Sequence, residues 1–383
     1  MSSFRNTSYF DEIFNEIEIN QQKKKQGYVN SIFWEMPRLT NVLNFPGFVP
    51  GKYYCVTANS HIGKTIFSKF LVLYSSYMRR IEYNGNFEWE VLWLALEEGE
   101  IDFWQSLIAF CVYLEHGNKY LLTPEIITGK VKRDLSTEEL DVVKKARYHP
   151  FFIECTKRVS VVDNIFNPTG IKYQVDKFLQ RKELATWEER VDMKGITNYK
   201  MKDNHFAFVV TDNTNLLQEE KNHNTGAVMN KAATMEFYSS TYCLGVFCKR
   251  YGAIVIDIQQ QSAESEAKLY TNRGEVIESK LEPTLADLGD SKKTARNMDV
   301  VLGLFNPIRH EINKVGGFNI DIPILNGGNK FRRLIFLKDR LGGLSGNKLN
   351  LYCEGYVPFF KEMYPSSTYK ENPELINKIL KNE

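Results

Sequence analysis

The chain has 383 residues, of which 43% are hydrophobic and 25% charged, and its formal net charge is +2. A chain of this length forms one large domain or two ordinary ones, and so small a net charge excludes a general electrostatic affinity for nucleic acid. The N-terminal sequence MSSFRNTSYFDE lacks the apolar core of a signal peptide, and no run of about 18 apolar residues occurs, which predicts a cytoplasmic protein without a membrane span. The six cysteines lack Cys-x-x-Cys spacing, so we expect reduced core residues and not a zinc site.

An amphipathic helical arm is predicted near the start of the chain, within Ser8–Asn20. Its apolar side chains recur at helical spacing: Tyr9, Phe10, Ile13, Phe14 and Ile17. The polar run Gln21–Gln26 then separates this helix from the rest. We therefore divide the chain into an arm and linker at 1–34, a domain at 35–362 and a tail at 363–383. The apolar stripe needs a covering surface, either on its own domain or on a neighbouring subunit.

The most informative stretch is a phosphate-loop motif between a predicted strand, Tyr53–Thr57, and a helical pattern that starts at Ile66. The loop reads ANSHIGKT, which meets the pattern G-x-x-x-x-G-K-S/T except at its first position. In such loops backbone N–H groups hold a triphosphate, the lysine reaches the β- and γ-phosphates, and the hydroxyl holds Mg²⁺. An ordinary strand-to-helix turn is the alternative. The predicted ATP-binding residues are Ala58, Asn59, Ser60, His61, Ile62, Gly63, Lys64 and Thr65, with Thr65 also at the metal.

Two carboxylates that follow predicted strands complete the candidate site. The strand Trp89–Leu96 ends at Glu97, followed by Glu98, and a carboxylate there can orient or deprotonate an attacking water. A surface acidic loop has the same spacing. The strand Phe206–Thr211 ends at Asp212, in the Walker B arrangement that holds the Mg²⁺ shell.

The remaining segments alternate between helix and strand. Predicted helices cover Ile101–Leu114, Thr123–Lys130, Leu140–Arg147, Thr169–Leu184 and Met229–Arg250. Predicted strands cover Phe151–Glu154, Ala253–Ile258, Val300–Phe305, Leu334–Leu337 and Lys348–Glu354, and Ala185–Asn204 is interpreted as a polar loop insertion. This alternation predicts an α/β fold whose sheet is mostly parallel, with an antiparallel C-terminal edge.

The order of these segments resembles the ATPase domain of DnaB-like replicative helicases, which has the RecA core, over about Gly27–Phe360. Ala also opens the phosphate loop in that family, as Ala58 does here, and VLWLALEEG and VVTDNTNLL resemble its next two site strands. The resemblance implies a RecA-like P-loop NTPase that uses ATP and Mg²⁺. It places the catalytic base at Glu97 and the metal-shell aspartate at Asp212.

Two further segments carry residues that the resemblance places at the γ-phosphate. IVIDIQQQ is similar to the strand that ends in a γ-phosphate sensor, which implies Gln259. LIFLKDRLGGLSG is similar to the strand and turn that carry a lysine and an arginine finger, here Lys338 and Arg340. In a RecA-core ring the guanidinium of Arg340 would act on the site of the neighbouring subunit. A surface arginine in a hairpin is the alternative from the residues alone.

Two loops carry candidate contacts to DNA. The first, Ser262–Glu282, contains Lys268 and Arg273, but five glutamates dilute its charge. The second contains Lys292, Lys293 and Arg296 and is therefore favoured. Cationic loops in a ring channel would follow single-stranded phosphates with little sequence preference, although solvated loops have the same composition.

The resemblance implies an ATP-dependent, hexameric ring helicase that translocates on single-stranded DNA in replication. It also implies a primase or loader as partner and a bacterial cytoplasm, including that of a phage host. The family's N-terminal collar, which commonly docks primase, has no counterpart in the arm, and Gly289 replaces a usual arginine. A RecA-like ATPase for recombination or packaging and a non-catalytic ring subunit are the alternatives. Intact Lys64, Thr65, Glu97 and Asp212 argue against the last.

Overall fold

The computed structural model describes residues 7–25, 28–180, 187–191, 197–221, 226–262, 280–289, 291–312, 314–315, 318–319 and 330–363. The strands within these ranges are, in chain order, β1 (Tyr53–Ala58), β2 (Glu88–Ala95), β3 (Val159–Val162), β4 (Trp187–Val191), β5 (Thr197–Met201), β6 (His205–Asp212), β7 (Ile254–Gln260), β8 (Val300–Phe305), β9 (Lys314–Val315), β10 (Phe318–Asn319), β11 (Phe331–Asp339), β12 (Lys348–Glu354) and β13 (Phe359–Glu362).

One nine-stranded sheet organises the described part of the chain. Its strand order is β13-β12-β11-β8-β1-β7-β6-β2-β3. The six strands from β8 to β3 are parallel, and β11, β12 and β13 add antiparallel pairs at one edge. The central strands are buried along almost their whole length, which explains their continuous apolar sequences. This confirms the predicted α/β fold with a mostly parallel sheet and an antiparallel C-terminal edge.

Helices cover both faces of the sheet. The α-helices within the described ranges are α1 (Thr7–Lys25), α2 (Pro37–Asn41), α3 (Lys64–Lys69), α4 (Ser75–Glu82), α5 (Glu100–His116), α6 (Pro124–Ile127), α7 (Thr137–Ala146), α8 (Pro150–Arg158), α9 (Pro168–Leu179) and α10 (Lys231–Phe237). A π-helical segment, Phe70–Tyr74, joins α3 to α4, and a second, Tyr238–Cys248, continues α10.

The two faces of the sheet form two apolar cores. On one face Phe67 and Phe70 of the phosphate-loop helix pack among the core residues that include Trp93. On the other face Phe247 packs in the cluster that contains Leu94 and Val209. Each fully buried side chain of this size stabilises the fold by about 1.5–3 kcal/mol. The phosphate-loop helix is thereby fixed against the sheet through its own apolar side.

The predicted strand Phe151–Glu154 is wrong, because this segment lies inside α8. His149 caps the helix by accepting a hydrogen bond from the backbone N–H of Phe151 at 3.2 Å, and Pro150 starts its first turn. Phe151 and Cys155, one helical turn apart, are both buried. The strand of this region is β3, immediately after the helix.

The predicted loop insertion Ala185–Asn204 is also corrected by the structure. Its described residues include β4 and β5, which pair as an antiparallel two-stranded unit. Charged and polar residues within both segments concealed this strand pattern in the sequence. The C-terminal edge strand β13 was likewise missing from the predicted elements, and the helix expected to reach Leu184 ends at Leu179.

The predicted N-terminal helix is present as α1. Phe14 and Ile17 of its apolar stripe are 63% and 50% exposed. Near its C-terminal end the ammonium of Lys23 lies 2.6 Å from a carboxylate oxygen of Asp203. Among the described residues, no helix is long and apolar enough to cross a membrane.

Candidate nucleotide site

The phosphate loop lies between β1 and α3, at the edge of the sheet where parallel strands end. Gly63 precedes the first residue of α3 and has a φ of 100°, in the left-handed region that favours glycine. A Cβ added to Gly63 would meet no atom within 4 Å, so the position needs glycine for its backbone conformation and not for space. The first N–H groups of a helix have no acceptor within the helix, so the start of α3 has the donors that an anion site requires.

Lys64 is buried beneath the loop, with 8% of its surface exposed. Its ammonium group donates a hydrogen bond to the carbonyl oxygen of Asn59 at 3.1 Å. The side chain thus folds back under its own loop and not toward bulk solvent. A phosphate held by the loop would lie within the reach of this charge.

Asp212, at the end of β6, is a buried carboxylate whose two oxygens accept no hydrogen bond from a described residue. Burial raises its pKa to about 7, the nearby carboxylates of Glu98 and Glu97 raise it as well, and Thr65 and Lys69 lower it. The Thr65 hydroxyl lies near this carboxylate but outside hydrogen-bonding geometry. An unsatisfied buried carboxylate is costly unless a cation accompanies it. A hydrated Mg²⁺ between Thr65 and Asp212 fits this arrangement.

Glu97 and Glu98 follow β2 and have different surroundings. Glu97 is exposed, and its Oε2 accepts a hydrogen bond from the side-chain amide of Asn213 at 3.2 Å. Glu98 is half-buried, and its Oε1 lies 2.7 Å from the ammonium of Lys69. The ion pair with Lys69 therefore distinguishes Glu98 from the adjacent Glu97.

Lys69 was missed by the sequence analysis. It is only 2% exposed, donates a hydrogen bond to the hydroxyl of Ser106 at 2.8 Å, and lies 4.4 Å from the ring centroid of Phe103. Lys69 lies four residues after Thr65, which places both on the same side of α3. This spacing in the sequence could have indicated that Lys69 lies near the site.

A cleft of about 550 Å³ brings these groups together beside the phosphate-loop helix. Its lining includes His61, Thr65, Glu97, Asp212 and Tyr356. Tyr356 comes from the turn between β12 and β13, far along the chain. The turn at the antiparallel edge of the sheet therefore borders the cleft on one side, and the ends of the parallel strands border it on the other.

Two adjacent glutamines at the end of β7 point to different loops. Gln259 is fully buried, donates to the carbonyl of Gly289 at 2.9 Å and accepts from the hydroxyl of Thr294 at 3.0 Å. Gln260 instead donates from its side-chain amide to the hydroxyl of Ser60 in the phosphate loop. Successive side chains of a strand face opposite sides of the sheet. The residue whose side chain reaches the phosphate loop is therefore Gln260, one position after the predicted sensor Gln259.

Two solved structures share this architecture at low sequence identity. A DnaB-like replicative helicase, described with its interactions with primase, superposes with a TM-score of 0.62 at 15% identity, covering 94% of this chain and 70% of its own. A second solved structure, itself an ATPase domain, gives 0.60 at 14% identity, covering 91% of this chain and 98% of its own. This chain has the fold of a replicative-helicase ATPase domain. No protein-family model and no curated protein matches the sequence.

Within this helicase-type fold, Lys338 and Arg340 lie at the end of β11 and contact another loop of the same chain. Lys338 donates to the carbonyl of Ala295 at 2.6 Å, and Arg340 donates to the carbonyl of Arg296 at 3.3 Å. Burial lowers the pKa of Lys338, the Arg340 charge lowers it further, and Asp299 opposes both. Neither residue belongs to the described lining of the cleft.

The second candidate DNA loop is a short turn that is held by a hydrogen bond from the Thr294 hydroxyl to the side chain of Gln259. Thr294 and Ala295 are buried, whereas Lys292, Lys293 and Arg296 are exposed. Lys293 lies 3.2 Å from a carboxylate oxygen of Glu236. The predicted contacts Lys268 and Arg273 of the other loop lie outside the described residues.

Proposed function

We propose that this chain is an ATP-hydrolysing motor that forms a ring and translocates on single-stranded DNA. One observation carries the ATPase assignment: the buried carboxylate of Asp212 lacks a hydrogen-bonding partner among the described residues and faces Thr65 at the end of a phosphate loop. A carboxylate in this position is suited to a metal–nucleotide complex. The fold shared with replicative-helicase ATPase domains supports the motor assignment.

ATP is bound by the loop from Ala58 to Thr65. The backbone N–H groups around Gly63 receive the β- and γ-phosphates, and Lys64 exchanges its contact with the Asn59 carbonyl for phosphate oxygens. Thr65 and Asp212 hold Mg²⁺, directly or through water. When bound, Mg²⁺ neutralises charge on the β- and γ-phosphate oxygens.

Hydrolysis is assisted by Glu97. Its carboxylate orients a water molecule and accepts a proton from it, while the water oxygen attacks the γ-phosphorus and the bond to the bridging oxygen of ADP breaks. Asn213 holds one oxygen of Glu97, which restricts its orientation. Glu98 is less suited to this role because the buried Lys69 ammonium already occupies its Oε1.

The γ-phosphate is detected from two directions. Gln260, and not Gln259, is the nearer candidate sensor because it already contacts Ser60 of the phosphate loop. Lys338 and Arg340 act on the site of a neighbouring subunit, since they lie apart from the cleft of their own chain. This requires an oligomer in which one subunit contacts the site of the next, and we propose that this oligomer is a hexameric ring.

Single-stranded DNA passes through the ring channel and contacts Lys292, Lys293 and Arg296. Cationic side chains on this turn bind phosphates without reading bases. We place the motor in DNA replication in a bacterial cytoplasm, that of a phage host included, with a primase or loader as its partner.

Two assays test this function. ATP hydrolysis is measured with and without single-stranded DNA, and strand displacement is measured on a forked duplex under the same conditions. Stimulated hydrolysis together with displacement supports the helicase. Stimulated hydrolysis without displacement favours an ATPase of recombination or packaging, and a chain that neither binds nor hydrolyses ATP is a non-catalytic subunit.

A further inference from the structure

Three carbonyl oxygens of the phosphate loop accept hydrogen bonds from cationic side chains. The Asn59 carbonyl accepts from Lys64 at 3.1 Å, which lies within the motif itself. The Ser60 carbonyl accepts from the guanidinium of Arg309, in the turn after β8. The Ile62 carbonyl accepts from Nε of Arg332, in β11, at 2.8 Å. Two of these three cations come from elements that the motif does not include.

Arg332 is the buried member of this group. It is 3% exposed, and besides its bond to Ile62 it donates from a terminal nitrogen to the carbonyl of Phe331 at 2.7 Å. A guanidinium group is planar and rigid, so bonds to carbonyls of two elements fix their relative position. Placing such a charge in the interior is costly, and these hydrogen bonds offset part of that cost.

The orientation of the Ile62 carbonyl determines the orientation of the next N–H group. The peptide unit is planar and trans, so the carbonyl of Ile62 and the N–H of Gly63 point in opposite directions. Holding that carbonyl toward Arg332 of β11 directs the Gly63 N–H away from β11. A flipped peptide would present a carbonyl oxygen to the phosphate and repel it.

If no other element contacted this peptide, Gly63 would let it flip at a small cost in free energy. Glycine adopts positive and negative φ with similar ease, and Gly63 has no side chain to favour its present φ of 100°. A Cβ at this position would meet no atom within 4 Å, so no packing contact at the Gly63 Cα helps to fix the present conformation. The contact from Arg332 supplies a restraint that the glycine itself lacks.

We propose that Arg332 is a positioning residue for ATP binding, which holds the Ile62–Gly63 peptide in its anion-binding orientation. Arg309 restrains the Ser60–His61 peptide in the same way from the exposed side. This inference rests on the proposed binding of ATP at the loop. It goes beyond that function by assigning part of the phosphate affinity to the antiparallel edge strand β11.

Arg333 provides a matched control on the same strand. Its side chain faces the opposite side of β11 and lies 3.1 Å from a carboxylate oxygen of Glu282, away from the phosphate loop. It is also largely buried, with 13% of its side chain exposed. Replacing either arginine by methionine removes one buried guanidinium, but only Arg332→Met frees the Ile62 carbonyl.

The test measures the Kd of a fluorescent ATP analogue with Mg²⁺ for the full chain, well below the melting temperature of each variant. We expect Arg332→Met to weaken binding roughly tenfold or more, Arg332→Lys to recover part of the loss, and Arg333→Met to bind as the parent does. A purely structural role would lower the melting temperature of both methionine variants and leave both Kd values unchanged.

The outcomes separate this inference from the proposed function. If the parent binds ATP and both Arg332 variants bind it equally well, Arg332 has no positioning role and the ATPase assignment stands. If Arg332→Met does not fold, the Arg332→Lys variant decides, and parental affinity in it overturns the inference. If the parent itself does not bind ATP, the proposed function and this inference are both wrong.

Discussion

The ammonium of Lys69 lies 2.7 Å from the carboxylate of Glu98, one residue away from the exposed carboxylate of Glu97. This pair gives the two neighbouring glutamates different surroundings, which supports the proposed base at Glu97. We expect Glu97→Gln to bind ATP like the parent but to lower kcat by about 10²–10⁴, because the attacking water loses its general base. Steady-state hydrolysis and analogue binding measure the two effects, and hydrolysis at the parental rate would move the base elsewhere.

The companion variant Glu98→Gln is expected to behave differently. Lys69 stays buried but loses its carboxylate, so the free energy of unfolding should fall by about 1–3 kcal/mol while most turnover remains. Urea unfolding and the same hydrolysis assay measure these quantities. A variant of parental stability that has lost turnover would instead identify Glu98 as the base.

Arg340 is expected to act on the neighbouring subunit. Arg340→Ala chains and Lys64→Ala chains should each be nearly inactive, because one lacks the finger and the other the charge at the β- and γ-phosphates. A mixture of the two should recover part of the ATP hydrolysis, since some interfaces pair an intact loop with an intact finger. Titrating one variant into the other measures this recovery, and a mixture as inactive as its components would place Arg340 in cis or outside the site.

The basic turn predicts a change in the salt dependence of DNA binding. Lys292→Ala should weaken binding of oligonucleotides of different sequence about equally, and should reduce the slope of log K against log salt by about 0.7, the value for one phosphate of a single strand. Lys145→Ala, which removes an exposed lysine paired with Asp141 on α7, serves as the control. Equal slopes for the parent and Lys292→Ala would exclude a phosphate contact at this residue.

Buried Asp257 predicts a stability that depends on pH. Burial raises its pKa to about 7, and hydrogen bonds with Tyr53 and Thr211 oppose the rise. The folded chain therefore holds a proton that the unfolded chain releases near pH 4, so stability should fall as pH increases from about 4 to 7. Urea unfolding across this range should show a smaller fall for Asp257→Asn, whose side chain does not ionise. An equal fall in both proteins would contradict the prediction.

The arm helix α1 is expected to join subunits. Phe14 and Ile17 remain exposed on the chain by itself, and burying each would contribute about 1.5–3 kcal/mol at an interface. Deleting residues 1–24 should lower the oligomer mass in light scattering and leave thermal unfolding nearly unchanged. A truncated chain that keeps its ring but melts several degrees lower would show that the helix packs on its own domain.

Sequence alone determined the parts of this protein that depend on local pattern. The strand, glycine turn and helix around Lys64 form one continuous segment. Continuous apolar runs mark the buried strand that precedes Glu97 and the one that ends at Asp212. The mostly parallel sheet followed from the alternation of strands and helices. In contrast, the helical segment Phe151–Glu154 was predicted as a strand. Four residues are too few to distinguish the helical period of 3.6 residues from the strand period of two.

Tertiary structure decided which side chains meet. Gln260 and not Gln259 reaches Ser60 because successive side chains of β7 face opposite sides of the sheet. The sequence, a run of three glutamines, does not show which of them faces the phosphate loop. Lys69 reaches Glu98, and Arg332 reaches Ile62 across 270 positions of sequence. Such contacts arise from the order of strands in the sheet, which brings β11 beside the phosphate loop. The motif therefore predicted the candidate site, and the packing of distant elements around it determined how its backbone and carboxylates are held.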